Sequence, residues 1–170
     1  MANIIALTRG YQNEDAIDNV IDYMAGSVFG RDELTQQANI YTFNQGTIIN
    51  MFKSVQKANL SEAGKRICHI VIGFGKLEID EPGIVEVMKI AIDYFQNEYL
   101  VFGAVHEGSQ ARMDEYLHIH LAVNTVSHID GRRLYDSNEE YYKFVRYMIE
   151  KCPYLLWSLE RKDVGLIVNQ

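Results

Sequence analysis

The sequence feature that most constrains the fold is a short alternating run at residues 116–124, Tyr-Leu-His-Ile-His-Leu-Ala-Val-Asn. Alternation of apolar and polar residues is typical of a β-strand that buries one face. Because successive strand side chains point to opposite faces, His118, His120 and Asn124 share one face of the predicted strand. Two histidines at this spacing can direct their ring nitrogens at one ion, although the same spacing also arises by chance on an ordinary polar face.

The remaining periodicity predicts helices and further strands. The last two strands are joined by a polar loop without a helix, so they most simply pair antiparallel. We therefore expect an α+β fold: a two-layer sandwich with a mainly antiparallel sheet, helices on one face and the other face free to carry a site. The predicted helices are 15–25, 47–60, 82–97 and 138–151, and the further strands are 3–8, 67–74 and 99–106, with a short extended piece at 40–43.

A third histidine, His106, lies at the end of the strand before the alternating run. Together with His118 and His120 it gives three histidines from two neighbouring strands. Three neutral imidazoles with open coordination positions suit a divalent ion that also binds substrate. Cys68 and Cys152 are the only two cysteines, which excludes a multi-cysteine zinc site and predicts a cytoplasmic setting.

Composition gives only a weak indication of the binding partner. The formal net charge is -7, which taken alone argues against nucleic acid, because phosphate contacts use Lys and Arg. A bound divalent cation would add positive charge that a residue count misses, so only a local basic patch is required. Arg132 and Arg133, after the alternating run, and Lys65 and Arg66, before the 67–74 strand, are the candidates, and each pair is equally well explained as a solvated turn. No run approaches the roughly 20 apolar residues that span a bilayer.

Five short motifs follow one another in an order that resembles a known family of nucleases. A histidine pair around one hydrophobic residue, then apolar residues and an Asn, occupies 118–124, and a Gly-Arg-Arg turn follows at 131–133. Upstream, an apolar strand that ends in histidine occupies 103–106, and a histidine followed by an apolar run lies within 68–74. A predicted helix carries Val-Ile-Asp-Tyr-Met at 20–24.

Over about residues 15–150 the chain thus resembles the relaxases, or mobilisation nucleases, of the HUH endonuclease superfamily. The resemblance implies that His106, His118 and His120 bind a divalent ion, Mg²⁺ or Mn²⁺, with Zn²⁺ or Ni²⁺ able to replace it in a crystal. It implies that Tyr23 attacks single-stranded DNA at an origin of transfer, in conjugative transfer or mobilisation of a plasmid or integrative element. The strand would be nicked and rejoined through a covalent 5′-phosphotyrosine intermediate, with accessory relaxosome or coupling proteins as further partners.

The resemblance also implies roles for residues around the metal. His69 would hold the scissile phosphate or act as a base, although it is equally well explained as a partly buried residue on the sheet. Asn124 and one carboxylate would lie behind the metal ligands or against the substrate. That carboxylate is Glu115, Asp114 or Glu107, because the Asp that the family often places soon after the first histidine is missing.

Two alternatives remain open. Rolling-circle replication initiators and transposases of the same superfamily place their nucleophile after the histidines, on a helix with a nearby lysine, which would select Tyr147. A non-catalytic DNA-binding module would keep the fold and use His118 and His120 structurally. The expected organisation is a single nuclease domain over residues 1–170, as a fragment of a longer protein if the natural chain continues as relaxases usually do.

Overall fold

A six-stranded sheet and four α-helices form the fold in the part of the chain that the computed structural model describes, which is residues 1–8, 10–26, 31–41, 44–76, 78–108 and 117–163. In chain order the elements are β1 (Ala2–Thr8), α1 (Ala16–Gly26), β2 (Thr35–Ala38), α2 (Gln45–Ala58), β3 (Ile67–Phe74), α3 (Glu81–Phe95), β4 (Val101–Glu107), β5 (Leu117–Asn124), α4 (Asn138–Lys151) and β6 (Trp157–Asp163). Across the sheet, the strands are ordered β2-β4-β5-β3-β1-β6, and all neighbours are antiparallel except β1 and β6.

The register of the three central strands brings the histidines to one side of the sheet. In the antiparallel ladders, His106 of β4 lies opposite His118 of β5, and Val71 of β3 lies opposite His120. Directly paired residues point to the same face of a sheet. His106, His118, His120 and His69 therefore share one face, which we call the histidine face.

The opposite face, which we call the core face, is covered by α3 and α4. Gly103 of β4 lies on this face, and a Cβ placed there would come 3.0 Å from atoms of both Ile92 and Met88 in α3. The missing side chain thus lets the helix approach the sheet closely. Further along the face, the Tyr141 hydroxyl of α4 lies 3.4 Å from the Cys68 sulfur of β3.

The histidine face is also partly covered, by α1 and α2. Helix α1 packs against β3, β4 and β5, and α2 packs against α1 and bonds to Asn124 of β5 through Gln56. The predicted α+β class with a mainly antiparallel sheet is confirmed, but the helices occupy both faces instead of one. The physical reason is that the histidine face also carries apolar residues, including Ile5, Leu7 and Phe102, whose burial requires a covering layer.

Side-chain caps explain why predicted and observed helix starts agree closely. Asn44 accepts a hydrogen bond from the Thr47 N–H (2.9 Å) at the start of α2, and Ser137 accepts one from the Glu140 N–H (3.3 Å) at the start of α4. The extended piece expected at 40–43 instead lies earlier, as β2, and residues 42 and 43 lie outside the described residues.

Strand β6 is an element that the sequence did not predict. Its sequence, Trp-Ser-Leu-Glu-Arg-Lys-Asp, is largely charged, which suits an edge strand but hides the alternating signal. It pairs in parallel with β1 at the other end of the chain, from Ala2 with Trp157 to Thr8 with Asp163. None of the described helices has the length and apolar character to cross a membrane.

Candidate metal centre

The three predicted metal-binding histidines converge on the histidine face. One ring nitrogen of each of His106, His118 and His120 lies within 4.8 Å of the others. Their ring centroids are 4.4 Å apart for His106 and His120, 4.9 Å for His118 and His120, and 5.6 Å for His106 and His118. Since the rings come from facing positions on β4 and β5, the strand register alone produces this cluster.

A hydrogen bond determines which nitrogen of His106 faces the cluster. Its Nε2–H donates to the main-chain carbonyl of Met24, 3.0 Å away in the last turn of α1. Carbonyls in that turn have no partner within the helix, so this imidazole satisfies one of them. Burial holds the pKa of His106 below its ordinary value although the bond to Met24 opposes the shift, and the neutral ring keeps a lone pair on Nδ1.

His120 has a matching arrangement. Its Nδ1 lies 2.8 Å from Nε2 of His69, and its own Nε2 is buried with no hydrogen-bond partner among the described residues. Burial, together with the three neighbouring histidines, holds the pKa of His120 well below its usual value, so the ring is neutral. A buried lone pair without a partner is what a metal ligand presents in the absence of its ion.

The donor set therefore fits a divalent cation. Metal-bound histidines ordinarily use one ring nitrogen for the ion and donate the other N–H to a carbonyl or a similar acceptor. His106 and His120 both have this pattern, and His118, which is partly exposed, completes a three-nitrogen cluster with a solvent-facing side. The open side leaves coordination positions for water or a substrate oxygen.

Tyr23 lies directly against this cluster. Its ring is edge-on to His106, with centroids 5.4 Å apart, and to His120, with centroids 5.3 Å apart. The side chain is nevertheless 54% exposed. The expectation that the helix at 15–25 lies against the site is met, because α1 delivers Tyr23 to the histidine face near its C-terminal end.

Tyr147, the alternative nucleophile, lies on the other side of the sheet. Its hydroxyl donates to the main-chain carbonyl of Ile90 in α3, 3.2 Å away, and its ring packs on Tyr94 with centroids 5.1 Å apart. In this structure Tyr147 therefore does not lie where it could attack a phosphate held at the histidine cluster. The lysine nearby, Lys151, has its Nζ 5.8 Å from the centroid of the Tyr147 ring and 3.6 Å from the Glu150 carboxylate.

His69 does not occupy the position of a free catalytic base. The side chain is buried, and both ring nitrogens are engaged, Nδ1 with the Tyr11 hydroxyl at 2.9 Å and Nε2 with His120. Burial, followed by the effects of His106 and Lys65, lowers the pKa of His69 to about 3. For the predicted role, to bind phosphate or take a proton, His69 would first have to break one of these bonds.

Asn124 shares the histidine face, as the alternation predicts, but it does not support the metal ligands. Its amide nitrogen donates to the main-chain carbonyl of Phe52 (3.2 Å), and its oxygen accepts from Gln56 (2.8 Å), so it fastens α2 to β5. Four strand residues, about 13 Å, separate it from His120. Its assignment beside the metal site is therefore corrected to a packing role.

The carboxylate expected behind the histidines remains unassigned. Glu115 and Asp114 lie outside the described residues. Glu107 is exposed and follows His106 on β4, so by strand alternation it points to the opposite face. The Met24 carbonyl accepts a hydrogen bond from His106, and His69 exchanges one with His120.

Two of the four predicted DNA-binding residues are used inside the protein. Lys65 binds the Leu7 carbonyl and the Asp136 carboxylate, both at 2.9 Å. Arg133 donates to three main-chain carbonyls in the 61–65 segment.

The other two basic residues differ in exposure. Arg132 is exposed and forms a 2.9 Å ion pair with Asp130. Arg66 is half-buried, and its main chain binds Tyr11 and Gln56. Of the predicted basic patch, only Arg132 thus presents an exposed charged group.

Sequence reasoning missed Tyr11 and the Met24 carbonyl. Tyr11 reaches the site because β1 and β3 are antiparallel, with Leu7 opposite His69, so the chain that leaves β1 passes the start of β3. No periodicity marks such a residue, and the pairing of β1 with β3 is the signal that would have found it. A main-chain acceptor carries no sequence signal at all.

Comparison with known proteins supports one family. The family model of the MobA/VirD2-like relaxases, nuclease domain, matches residues 23–153. A solved structure, the conjugative relaxase TrwC in complex with oriT DNA in a metal-bound form, is similar with 16% sequence identity and a TM-score of 0.43, over 97% of this chain and 74% of that chain. No curated protein matches the chain. Because the family match covers well over half of the chain, from Tyr23 through the three histidines, this protein belongs to the MobA/VirD2-like relaxases, an enzyme family, and comprises their nuclease domain.

Proposed function

We propose that this protein nicks and rejoins single-stranded DNA at a specific site, an origin of transfer, in conjugative transfer or mobilisation of a plasmid or integrative element. Tyr23 is the nucleophile, and His106, His118 and His120 hold a divalent ion, Mg²⁺ or Mn²⁺. The whole 1–170 chain acts as one nuclease domain, and accessory relaxosome or coupling proteins are its further partners.

The observation that carries the proposal is the position of Tyr23. Its ring contacts two of the three clustered histidines edge-on while more than half of its surface stays accessible. Tyrosines that serve packing are mostly buried, whereas a nucleophile must be reachable by its substrate. A phosphodiester seated at the open side of the histidine cluster would meet the Tyr23 phenol without rearrangement of the sheet.

The reaction requires a bond exchange at phosphorus. The Tyr23 oxygen forms a bond to the phosphorus as the bond to the 3′ oxygen breaks, which leaves a 5′-phosphotyrosine and a free 3′-OH. A bound divalent ion supplies stabilisation of the negative charge that develops on the phosphate. The phenol proton passes to solvent, which the exposed position of Tyr23 permits, and the 3′ oxygen takes up a proton from water.

The link that Tyr23 forms with the DNA is reversible. The covalent phosphodiester keeps the energy of the broken bond, so the 3′-OH can reverse the reaction and rejoin the strand without ATP.

The experiment is an adduct assay on a denaturing gel. Single-stranded oligonucleotides that tile the DNA around the coding sequence, labelled at the 3′ end, are incubated with the protein and Mn²⁺. The wild-type protein should form a slowly migrating covalent band, because the fragment that carries the 3′ label keeps the 5′-phosphotyrosine link. Tyr23→Phe should bind the same oligonucleotide and form no such band.

Tyr147→Phe is the matched control, since it removes one hydroxyl from a tyrosine on the core face. It should form the band at the wild-type level. A band that survives Tyr23→Phe would exclude Tyr23 as the nucleophile. Binding without a band in the wild-type protein, across all oligonucleotides and with Mn²⁺ present, would instead favour a non-catalytic DNA-binding module.

A further inference from the structure

We propose that Tyr11 is a positioning residue for the metal centre: through His69, it holds the His120 ring with Nδ1 in a hydrogen bond and Nε2 free to bind the ion. Tyr11 lies outside the set of ligands and does not touch the cluster itself. The inference rests on the proposed metal site, and it adds a residue that neither the histidine motif nor the nucleophile accounts for.

Three side chains form a continuous hydrogen-bonded chain. The Tyr11 hydroxyl lies 2.9 Å from His69 Nδ1, and His69 Nε2 lies 2.8 Å from His120 Nδ1. The Tyr11 and His69 rings are tilted at 55° with their centroids 5.8 Å apart, so their contact is made through the polar atoms. His69 and His120 are both buried, which makes an unsatisfied nitrogen in this chain costly.

The backbone holds Tyr11 in this position. Its φ is +58°, in the left-handed region that few residues other than glycine adopt. Its carbonyl accepts a hydrogen bond of 2.8 Å from the Arg66 N–H, next to the start of β3. A residue in an uncommon conformation, fixed by a main-chain bond and ending in a specific side-chain contact, is typical of a functional constraint.

The direction of the protons along this chain follows from His120. If Nε2 of His120 binds a cation, that nitrogen carries a lone pair, and the proton of the neutral ring must be on Nδ1. Nδ1–H then donates to Nε2 of His69. Since Nε2 of His69 accepts that proton, its ring carries its own proton on Nδ1 and donates it to the oxygen of Tyr11.

The opposite direction would disable the ligand. In that arrangement, His69 Nε2–H donates to His120 Nδ1, and the remaining proton of His120 lies on Nε2, where it blocks the ion. The Tyr11 hydroxyl can serve either direction, because it donates to a bare Nδ1 of His69 or accepts from a protonated one. An ion at His120 Nε2 selects the direction in which Tyr11 accepts, and Tyr11 then holds both rings in the orientation that ligation requires.

Tyr11 is suited to this task because it stays protonated and uncharged. Burial, with smaller effects from Tyr23 and Cys68, raises the pKa of Tyr11 to about 12. A neutral phenol presents lone pairs to His69 without adding a negative charge beside the cluster. Phenylalanine would keep the ring in place and remove only the acceptor, which makes Tyr11→Phe the informative change.

The first test reads the tautomers by ¹⁵N NMR of the histidine side chains in the protein loaded with diamagnetic Zn²⁺. We expect the wild-type protein to show protonated Nδ1 on both His69 and His120. In Tyr11→Phe, the Nδ1 proton of His69 should lose the downfield shift of a hydrogen bond. Protonated Nε2 on His69 in the Zn²⁺-loaded wild-type protein would overturn the inference.

The second test measures affinity for Mn²⁺ by isothermal titration. Outer groups that orient a metal-bound histidine typically change affinity by about 10- to 100-fold, so Tyr11→Phe should weaken Mn²⁺ binding by about tenfold or more. Tyr41→Phe is the matched control, because this tyrosine is 94% exposed, and its affinity should equal that of the wild-type protein.

A double-mutant cycle distinguishes an effect of Tyr11 on Mn²⁺ affinity that passes through His69 from an effect caused by a general loss of stability. His69→Leu should weaken Mn²⁺ binding by a comparable factor, and adding Tyr11→Phe to it should change nothing more, because the relay is already broken. Additive losses would show that Tyr11 acts by another route and would contradict the inference.

The inference and the proposed function fail in different ways. If the wild-type protein does not bind Mn²⁺, the proposed metal site is wrong. If the wild-type protein binds Mn²⁺ and forms the covalent adduct, and Tyr11→Phe binds Mn²⁺ equally well, the proposed function stands and the relay is wrong.

Discussion

The eight residues of strand β5 point alternately to two faces of the sheet, and these two faces serve different purposes. On the core face, Leu117, Ile119, Leu121 and Val123 are buried, and this face of the sheet packs against α3 and α4. On the histidine face, the alternate residues are mostly polar and lie below α1 and α2. The difference teaches that one strand can separate stability from chemistry by direction alone, with no division of the sequence into separate segments.

The two faces also satisfy different requirements. The core face needs only shape and apolar volume, as the close approach of Gly103 to α3 illustrates. The histidine face buries nitrogen and oxygen atoms, and each of these needs a specific partner or a ligand. His106 has the Met24 carbonyl, and His120 has His69. Substitutions on the two faces should therefore change different measurable quantities.

The largest contrast is expected between neighbouring residues of β5, His120 and Leu121. His120→Ala should weaken Mn²⁺ binding by more than about 100-fold, beyond the loss typical of residues that only orient a ligand. Leu121→Ala should instead lower the free energy of unfolding by about 2–5 kcal/mol, because it opens a cavity in the core face. Titration with Mn²⁺ and urea denaturation, run on both variants, measure the two effects.

The contrast between the two faces is contradicted if His120→Ala loses stability instead of Mn²⁺ affinity, or if Leu121→Ala loses Mn²⁺ affinity instead of stability. Mn²⁺ affinity that remains in His120→Ala would remove this histidine from the ligand set. Leu121→Ala should bind Mn²⁺ normally under conditions in which it is folded, and a large loss of affinity there would mean that packing on the core face controls the cluster.

A second, smaller effect is expected at Asn124, which lies on the histidine face but holds α2 against β5. Asn124→Ala removes both hydrogen bonds to α2 and leaves the Gln56 amide and the Phe52 carbonyl without those partners. We expect a loss of about 1–3 kcal/mol in the free energy of unfolding. Mn²⁺ affinity should not change, and an affinity loss of tenfold or more would return Asn124 to the metal site.

The smallest effect is expected at the surface, where Arg132 and Arg133 are neighbours with different surroundings. Arg132→Ala should lower the slope of log affinity against log salt for single-stranded DNA by about 0.7, the value for one phosphate contact. Filter binding at several salt concentrations measures it. Arg133→Ala should mainly lower stability, since its guanidinium holds the 61–65 segment. Equal salt slopes in wild-type protein and Arg132→Ala would remove Arg132 from the DNA-binding surface.

Much of the architecture can be predicted from local pattern. The alternation at 116–124 places His118 and His120 on one face, and the loop without a helix predicts that the preceding strand pairs with it. Those two statements bring His106 to the cluster, which the structure confirms as a group able to hold a metal ion. The relaxase resemblance, confirmed by the family match, needed only the order of these motifs.

The parts that could not be predicted depend on pairing between distant segments. The relay from Tyr11 requires β1 beside β3, and β6 requires its parallel pairing with β1 across almost the whole chain. Polar residues mislead for a related reason. Asn124 and Lys65 have the chemistry of site residues, but their bonds are to α2 and Asp136, which only tertiary contacts reveal.

The hydrogen bond from His106 to the Met24 carbonyl has a consequence for the order of events at the site. Met24 and Tyr23 are adjacent in α1, so a movement of the last helical turn that displaces the phenol also displaces the acceptor that orients a metal ligand. Binding free energies are reciprocal: the factor by which the observed position of α1 raises the affinity for the ion equals the factor by which the bound ion favours that position of α1 over the displaced one. Under the proposed function, loading of the cation and placement of Tyr23 are thus a single linked equilibrium, and loss of the ion lowers the fraction of molecules in which Tyr23 is in place.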